Sequence, residues 1–281
     1  MDTELSRERA RVRIPHFLEK KQRGQKITML AAYDATMARL LDRAGIDALL
    51  VGDSLGTVIL GDETTLSVTL DVIIHHSKAV THGARRALVI ADMPFLTYQV
   101  SVEDTVRNAG RLMQEGGVAA VKLEGGVPVA ETVRRLVDIG IPVMGHIGLT
   151  PQSVHRLGGF RAVGKSPSEA NALIQDARAL EQAGAFAIVL ESVPDGVAAA
   201  ITGEMKIPTI GIGAGPHCDG QILVSYDAFG LFDSFVPRFV KQYAKLGEAM
   251  VDAAKEYIDD VQQGKFPSHE HSVPMGPSAS K

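Results

Sequence analysis

The chain has a single cysteine, Cys218, in 281 residues. One thiol excludes an internal disulfide and any CxxC metal or redox motif. Charge of one sign is also missing, because 33 acids against 29 bases leave a formal net charge of -4. That balance provides no basic footprint for a nucleic acid and none for an anionic membrane surface. No apolar run is long enough to span a bilayer. The basic stretch Ser6–Arg13 lacks the apolar core of a secretory signal and is mixed with acids, unlike a transit peptide. A cytoplasmic protein is expected. GxSxG, HExxH and P-loop motifs are absent as well, which argues against several common hydrolase and kinase classes.

What is present is a large apolar fraction, 45% of the residues against 22% charged, enough to bury a sizeable core. It is arranged in a repeating phrase of amphipathic helix, glycine and short apolar strand. Gly45 leads into Ile46–Asp53, Gly117 into Val118–Glu124, Gly140 into Ile141–Gly148, and Gly184 into Ala185–Glu191. Glycine just past a helix end is the residue that enters the left-handed conformation at least cost. Met37, Leu40, Leu41 and Ala44 follow helical spacing, as do Val102, Val106, Ala109 and Met113, the second set preceded by Ser101 as a cap. Ile27–Ala32, Leu88–Ala91, Ile207–Ile212 and Ile222–Val224 bring the candidate strands to eight. Alternating βα units predict an α/β protein, a (βα)8 TIM-type barrel, with a doubly wound open sheet as the rival. No linker divides the chain, so a single domain over 1–281 is expected: a barrel core at 26–235, a C-terminal helical segment at 236–265 and a mobile tail at 266–281.

Four of the strands end in an acid: Asp53, Asp92, Glu124 and Glu191. The carboxyl ends of barrel strands form one rim, and that rim is where catalytic groups collect. Each acid taken singly could be a solvated loop residue or a helix cap. Side chains alternate along a strand, so Lys122 and Glu124 face the same way, into the mouth. A buried lysine needs an anion beside it; the alternative to a functional pair is a structural one. Asp53, Asp92 and Glu124 offer only oxygen, the donor type that suits Mg²⁺ or a similar divalent ion. His146 ends the fifth strand on the same rim, although a lone histidine is more often structural. His75, His76, His217, His269 and His271 have no metal-ligand spacing. Gly211–Gly215 lacks the third spaced glycine of a dinucleotide fingerprint and reads instead as a loop at the barrel mouth.

Taken in order, Val51-Gly-Asp-Ser-Leu-Gly56, Ala91-Asp-Met-Pro-Phe95, Val121-Lys-Leu-Glu-Gly-Gly126 and Gly145-His-Ile-Gly-Leu-Thr-Pro-Gln-Ser153 are followed by Leu190-Glu191, Gly211-Ile-Gly-Ala-Gly215 and Cys218-Asp-Gly-Gln-Ile-Leu-Val224. This set resembles the ketopantoate hydroxymethyltransferase family over roughly Ile27 to His271. The resemblance implies a barrel of the phosphoenolpyruvate/pyruvate superfamily type, assembled as a homo-oligomer, a decamer. It implies transfer of a one-carbon unit from the co-substrate 5,10-methylenetetrahydrofolate to the oxo acid 3-methyl-2-oxobutanoate, giving 2-dehydropantoate in pantothenate and coenzyme A synthesis. By the same resemblance Asp53, Asp92 and Glu124 hold Mg²⁺. Asp53, Ser54, Asp92, Lys122 and His146 belong to the substrate site, and Glu191 is the proton acceptor.

Ser67, Ala162-Val163 and Val273 depart from the family pattern. A valine at 163 replaces a usual glutamine on a rim loop, a place where loop closure or folate contacts would differ. A lyase or mutase of the same superfamily acting without folate is the competing reading. An idle barrel kept for binding or assembly is a second, though all four rim acids are present.

Overall fold

Eight parallel strands frame the first of two compact units in the computed structural model, which describes residues 10–273. They are β1 (Ile27–Ala31), β2 (Ala48–Val51), β3 (Leu88–Asp92), β4 (Ala120–Glu124), β5 (Val143–Gly148), β6 (Ala187–Glu191), β7 (Thr209–Ile212) and β8 (Gly220–Val224). The strands pair in sequence order, and β8 returns to β1 with Ile27 opposite Gly220 and Ala31 opposite Val224. That last pairing makes a closed barrel and rules out the open sheet. Helices follow β1 through β6, whereas β7 and β8 are joined by residues 213–219 without one.

Local chemistry sets where the helices begin and stop. The Asp34 carboxylate accepts from the amides of Thr36 and Met37 to start Ala35–Ala44, and Gly45 ends it at φ 92°. Ser101 caps Val102–Gln114 by accepting from Asp104 N. Ser166 and Glu169 form a reciprocal capping box around Pro167 at the start of Pro167–Gln182.

Two helix faces differ from the apolar spacing. In Ala35–Ala44 the buried residues are Ala38 and Leu41, while Leu40 is 53% exposed. The helix is turned so that Asp42 receives the amides of Arg85, Arg86 and Ala87. In Val102–Gln114 the buried residues are Thr105, Ala109 and Leu112. Thr105 tolerates burial because its hydroxyl donates to Ser101 O at 2.7 Å and Tyr98 O at 3.2 Å.

Inside the barrel, alternate residues form apolar layers: Ile27 and Met29, Ala48 and Leu50, Leu88 and Ile90, Ala187 and Val189, with Ala120, Met144, Ile210 and Ile222. The helix Ile14–Gln22 adds Phe17 to the same cluster, its ring edge-on to Phe186 at 5.5 Å. Lys20 pairs with Asp47 at 2.6 Å and Lys21 with Asp219 at 2.8 Å, fastening this helix to the barrel.

The second unit, residues 226–281, contains the helix Leu246–Gln262, none of whose residues is buried. Residues 236–245 of the expected helical segment form turns and coil. Of the tail expected to be mobile, His269–His271 makes a single helical turn with Phe266 against His271 at 5.0 Å. Residues 274–281 lie outside the described residues, as do the first residues of the basic stretch beginning at Ser6. No helix among the described residues is long and apolar enough to cross a membrane.

Asp47 gives a testable pH signature. Burial alone would raise its carboxyl, but Lys20 and the amide and hydroxyl of Thr28 outweigh that and hold it below the ordinary carboxylate range. A folded-state value below the unfolded one adds stability above the unfolded pKa, lost as pH falls through the folded value. Asp47→Asn is expected to lower Tm at neutral pH, with the gap to wild type closing as the pH drops through that window. A gap that stays constant down to the acid limit would contradict the assignment.

Candidate active site

The inward rows of four strands change character near their carboxyl ends. Leu88 and Ile90 are followed by Asp92, Ala120 by Lys122 and Glu124, Met144 by His146, and Ala187 and Val189 by Glu191. The two-residue period therefore carries each polar group into the interior, as alternation requires of Lys122 and Glu124. Asp53 lies two residues beyond β2, on the turn into the short helix Leu55–Val58. A cavity of ≈120 Å³ is lined by Asp53, Ser54, Asp92, Lys122, Glu124, His146 and Glu191 together. All the site residues singled out in the sequence thus converge on one place.

Strand register sets the contacts. Asp92 is opposite Lys122, and Glu124 is opposite His146. Lys122 Nζ lies 2.7 Å from Asp92 Oδ1, and Asp92 Oδ2 accepts from Asp53 N at 3.0 Å. Lys122 Nζ is also 3.3 Å from His146 Nδ1. The imidazole approaches Glu124 Oε1 at 3.5 Å through Nδ1 and Glu191 Oε2 at 3.1 Å through Nε2. Ser54 Oγ shares a hydrogen bond with Tyr33 OH at 2.8 Å. Gly148, at φ 98°, lets β5 pass close to β6: a Cβ there would lie 2.3 Å from Glu191 O.

Negative charge is in excess in this cavity. Burial, then the charges of Asp92 and Glu124, push Asp53 up to about 8, and Lys122 and Gln152 offset only part of that. Burial likewise raises Asp92, despite Lys122 beside it. For Lys122, burial works against the ammonium, but Asp92, Glu124 and Asp53 outweigh it and the pKa goes up. For His146, burial and Lys122 work against the imidazolium; Glu124 and Glu191 prevail and push it up to about 9. A neutral ring accepting from Lys122 at Nδ1 and a charged ring both place a proton on Nε2, facing Glu191.

Two residues of this network had no individual signal in the sequence. Gln152, in the turn Pro151–Ser153, donates from Nε2 to Asp53 Oδ2 at 2.9 Å and to Met93 O at 3.0 Å. Its backbone amide donates to Glu124 Oε2 at 3.0 Å, and its Oε1 accepts from Tyr98 OH at 2.8 Å. Tyr98 OH in turn accepts from Glu124 N at 3.2 Å. Gln152 was visible only as part of a longer motif, and Tyr98 is a lone aromatic in a loop.

Among the described residues no group of three His, Cys, Asp or Glu side chains is arranged to hold a metal ion. The donor chemistry nevertheless fits one. Asp53, Asp92 and Glu124 present only oxygen, Glu124 Oε1 is buried with no hydrogen-bond partner, and the surplus charge is negative. These three residues would hold a hard divalent cation.

Buried, opposed titratable groups at the carboxyl rim of a βα barrel are the mark of a barrel enzyme. Comparison with solved structures agrees on the fold. A 2,3-dimethylmalate lyase, described as a PEP mutase/isocitrate lyase superfamily member, superposes with a TM-score of 0.59 at 19% identity, covering 94% of this chain and 91% of the other. A phosphonopyruvate hydrolase gives 0.60 at 13% identity, covering 92% and 93%. Sequence comparison narrows the class. The Ketopantoate hydroxymethyltransferase family model matches residues 11–269, and the chain belongs to that family of transferases. The 3-methyl-2-oxobutanoate hydroxymethyltransferase of Moorella thermoacetica is 58% identical over 265 residues, 94% of this chain and 98% of that protein. The enzyme of the same name from Clostridium botulinum is 58% identical over 259 residues, 92% and 94% of the two chains.

Gln152 should be costly to remove. Gln152→Ala leaves Asp53 Oδ2, Met93 O and Tyr98 OH each short of a partner in a buried setting. Each buried group left unsatisfied costs about 1–3 kcal/mol. Urea unfolding is expected to show a loss in that range or above it; a variant as stable as wild type would mean that the network does not depend on this side chain.

Proposed function

We propose that the chain transfers a hydroxymethyl group from 5,10-methylenetetrahydrofolate to 3-methyl-2-oxobutanoate, giving 2-dehydropantoate by way of an enolate. The observation that carries this reading is the single small cavity in which Lys122, three oxygen-donor acids and the His146–Glu191 pair face one another. The family assignment supports the substrate, since its relatives are named for that oxo acid.

Lys122 and the Ser54 hydroxyl receive the anionic end of the oxo acid. The apolar floor of the cavity, Leu50, Val189 and Ile222, takes the branched alkyl end. A divalent cation on Asp53, Asp92 and Glu124 would supply positive charge at the keto oxygen. Glu191, held through His146 Nε2 at 3.1 Å, accepts the proton from the branched carbon. The resulting carbon nucleophile forms the new C–C bond to the methylene carbon of the folate as one of that carbon's two C–N bonds breaks. Water displaces the second nitrogen to supply the hydroxyl, and the proton taken from the oxo acid and one from water end on the two nitrogens of the departing tetrahydrofolate. The immobilised carboxylate keeps its acceptor oxygen in place for the transfer rather than reorienting in solvent.

We also propose that the protein works as a homo-oligomer, a decamer. Support comes from the second unit, where Met250, Val251, Tyr257, Ile258 and Val261 of the helix Leu246–Gln262 are all exposed. A monomer by light scattering would overturn this.

The functional experiment combines turnover with isotope exchange. Wild type is expected to consume both substrates, and to exchange the branched-carbon proton with D₂O in the absence of folate. In Glu191→Gln that exchange should slow by ~10²–10⁴-fold, the usual contribution of a general base, while calorimetry still registers oxo-acid binding. Exchange at the wild-type rate in the variant would remove Glu191 from the role of base. Exchange in wild type without any folate-dependent turnover would remove the transfer reaction itself.

A further inference from the structure

A second cavity, of ≈580 Å³, lies beside the acid pocket, lined by the loops that follow β4 and β5 and by the helix Pro167–Gln182. Glu124 lines both cavities. The sizes separate what each can take: ≈120 Å³ is well under the ~300–1,000 Å³ of sites for drug-sized ligands, and ≈580 Å³ is within it. A ligand in the larger cavity therefore abuts the small pocket at one of its acids.

The walls of the larger cavity mix polar side chains with apolar ones, Pro128, Val129, Ile147 and Leu173 among the latter, and they include one unusual carboxylate, Asp176. Its Oδ1 accepts from Val127 N at 2.8 Å, and among the described residues it has no cationic partner. Burial raises its pKa, with only that amide working the other way. The loop is shaped around it: a Cβ on Gly126 would fall 2.0 Å from the Asp176 Cγ. Glu169, also on the wall, is already committed to the amides of Lys165 and Ser166 at the start of its helix. Asp176 is thus a half-buried acceptor without a counter-charge, in a cavity large enough for a fused ring.

We infer that this cavity seats the folate co-substrate, with Asp176 accepting the paired N–H donors on the aminopyrimidinone edge of the pterin. The assignment rests on the folate reading given above. A carboxylate matches two parallel N–H donors in the way it matches a guanidinium fork. The apolar side chains on its walls, Pro128, Val129, Ile147 and Leu173, suit the ring faces. Arg156 is exposed on the cavity wall, has no acidic partner among the described residues, and suits the carboxylates of the glutamyl tail. Three acids, Glu124, Glu169 and Asp176, against one arginine disfavour a phosphate-bearing ligand in the same place. Val163, where the family pattern has glutamine, also lines this cavity, which puts that departure against the folate rather than the oxo acid.

The test is steady-state kinetics on the full-length protein with Asp176→Asn. Asparagine retains an acceptor for Val127 N but presents donors where the pterin also has donors. KM for methylenetetrahydrofolate is expected to rise about tenfold or more, as for the loss of a charge-assisted pair, with KM for the oxo acid within about twofold of wild type. Proton exchange of the oxo acid, which needs no folate, reports that the barrel and the small pocket are intact. A second variant, Ala172→Phe, fills the cavity from its helix wall without touching Asp176 and should raise the same constant. An unchanged folate KM in both variants overturns the assignment. Should wild type itself show no folate-dependent turnover while still exchanging the oxo-acid proton, the functional reading fails first and this inference falls with it.

Discussion

Acid buried in the mouth of a barrel has to be held there by something of opposite sign, and that requirement organises the site. Asp92 is paired with Lys122 across the β3–β4 register, and the pair is closed off from solvent. Desolvation works against both charges, and breaking such a pair by removing one partner costs about 3–5 kcal/mol. Burial, together with the negative charge of Asp92 and Glu124 that Lys122 answers only in part, pushes Asp53 up to about 8. The pocket is therefore built to a charge balance that its own residues do not complete. A cation of two positive charges would complete it, and in the proposed function the anionic oxo acid would then enter beside Lys122.

The rest of the barrel keeps that arrangement in place. Apolar layers fill the interior below the acids, and Phe17 extends them from the helix that precedes β1. Pairs with Asp47 and Asp219, each just before a strand, fasten this helix, so these stabilising pairs lie at the amino ends of the strands and the candidate chemistry at the carboxyl ends. Between the two, Gln152 and Tyr98 tie the turn that carries Asp53 to the end of β4 at Glu124. A carboxylate displaced by an ångström would no longer be in position for the proposed reaction.

Much of this was legible in the sequence because strand alternation is a strict rule. Once Lys122 and Glu124 were placed on one strand, their common direction followed; Asp92 and Glu191 do end β3 and β6, whereas β5 runs two residues past His146. The acids declared themselves by closing apolar runs, and the motif order pointed to the family. The helix faces were less legible. The apolar stripe through Leu40 gave way to the bonds that Asp42 makes to Arg85, Arg86 and Ala87, and those partners lie on a distant loop. Thr105 is buried because a carbonyl happens to be within reach of its hydroxyl. Gln152, Tyr98 and Asp176 act through partners 26 to 99 residues away, and no local pattern marks a polar residue that is chosen by its distant neighbours.

The central claim is that the buried acids are short of positive charge and that a divalent cation supplies it. Thermal unfolding titrated with Mg²⁺, without substrates and at ionic strength matched with Na⁺, tests this directly. Binding to the folded state alone stabilises by about 2.7 kcal/mol at a hundredfold excess over Kd, several degrees in Tm for a protein of this size. The account predicts a saturable rise in Tm that Glu124→Gln largely removes. A Tm indifferent to Mg²⁺ up to millimolar concentrations, or a rise that the variant shares in full, would contradict it.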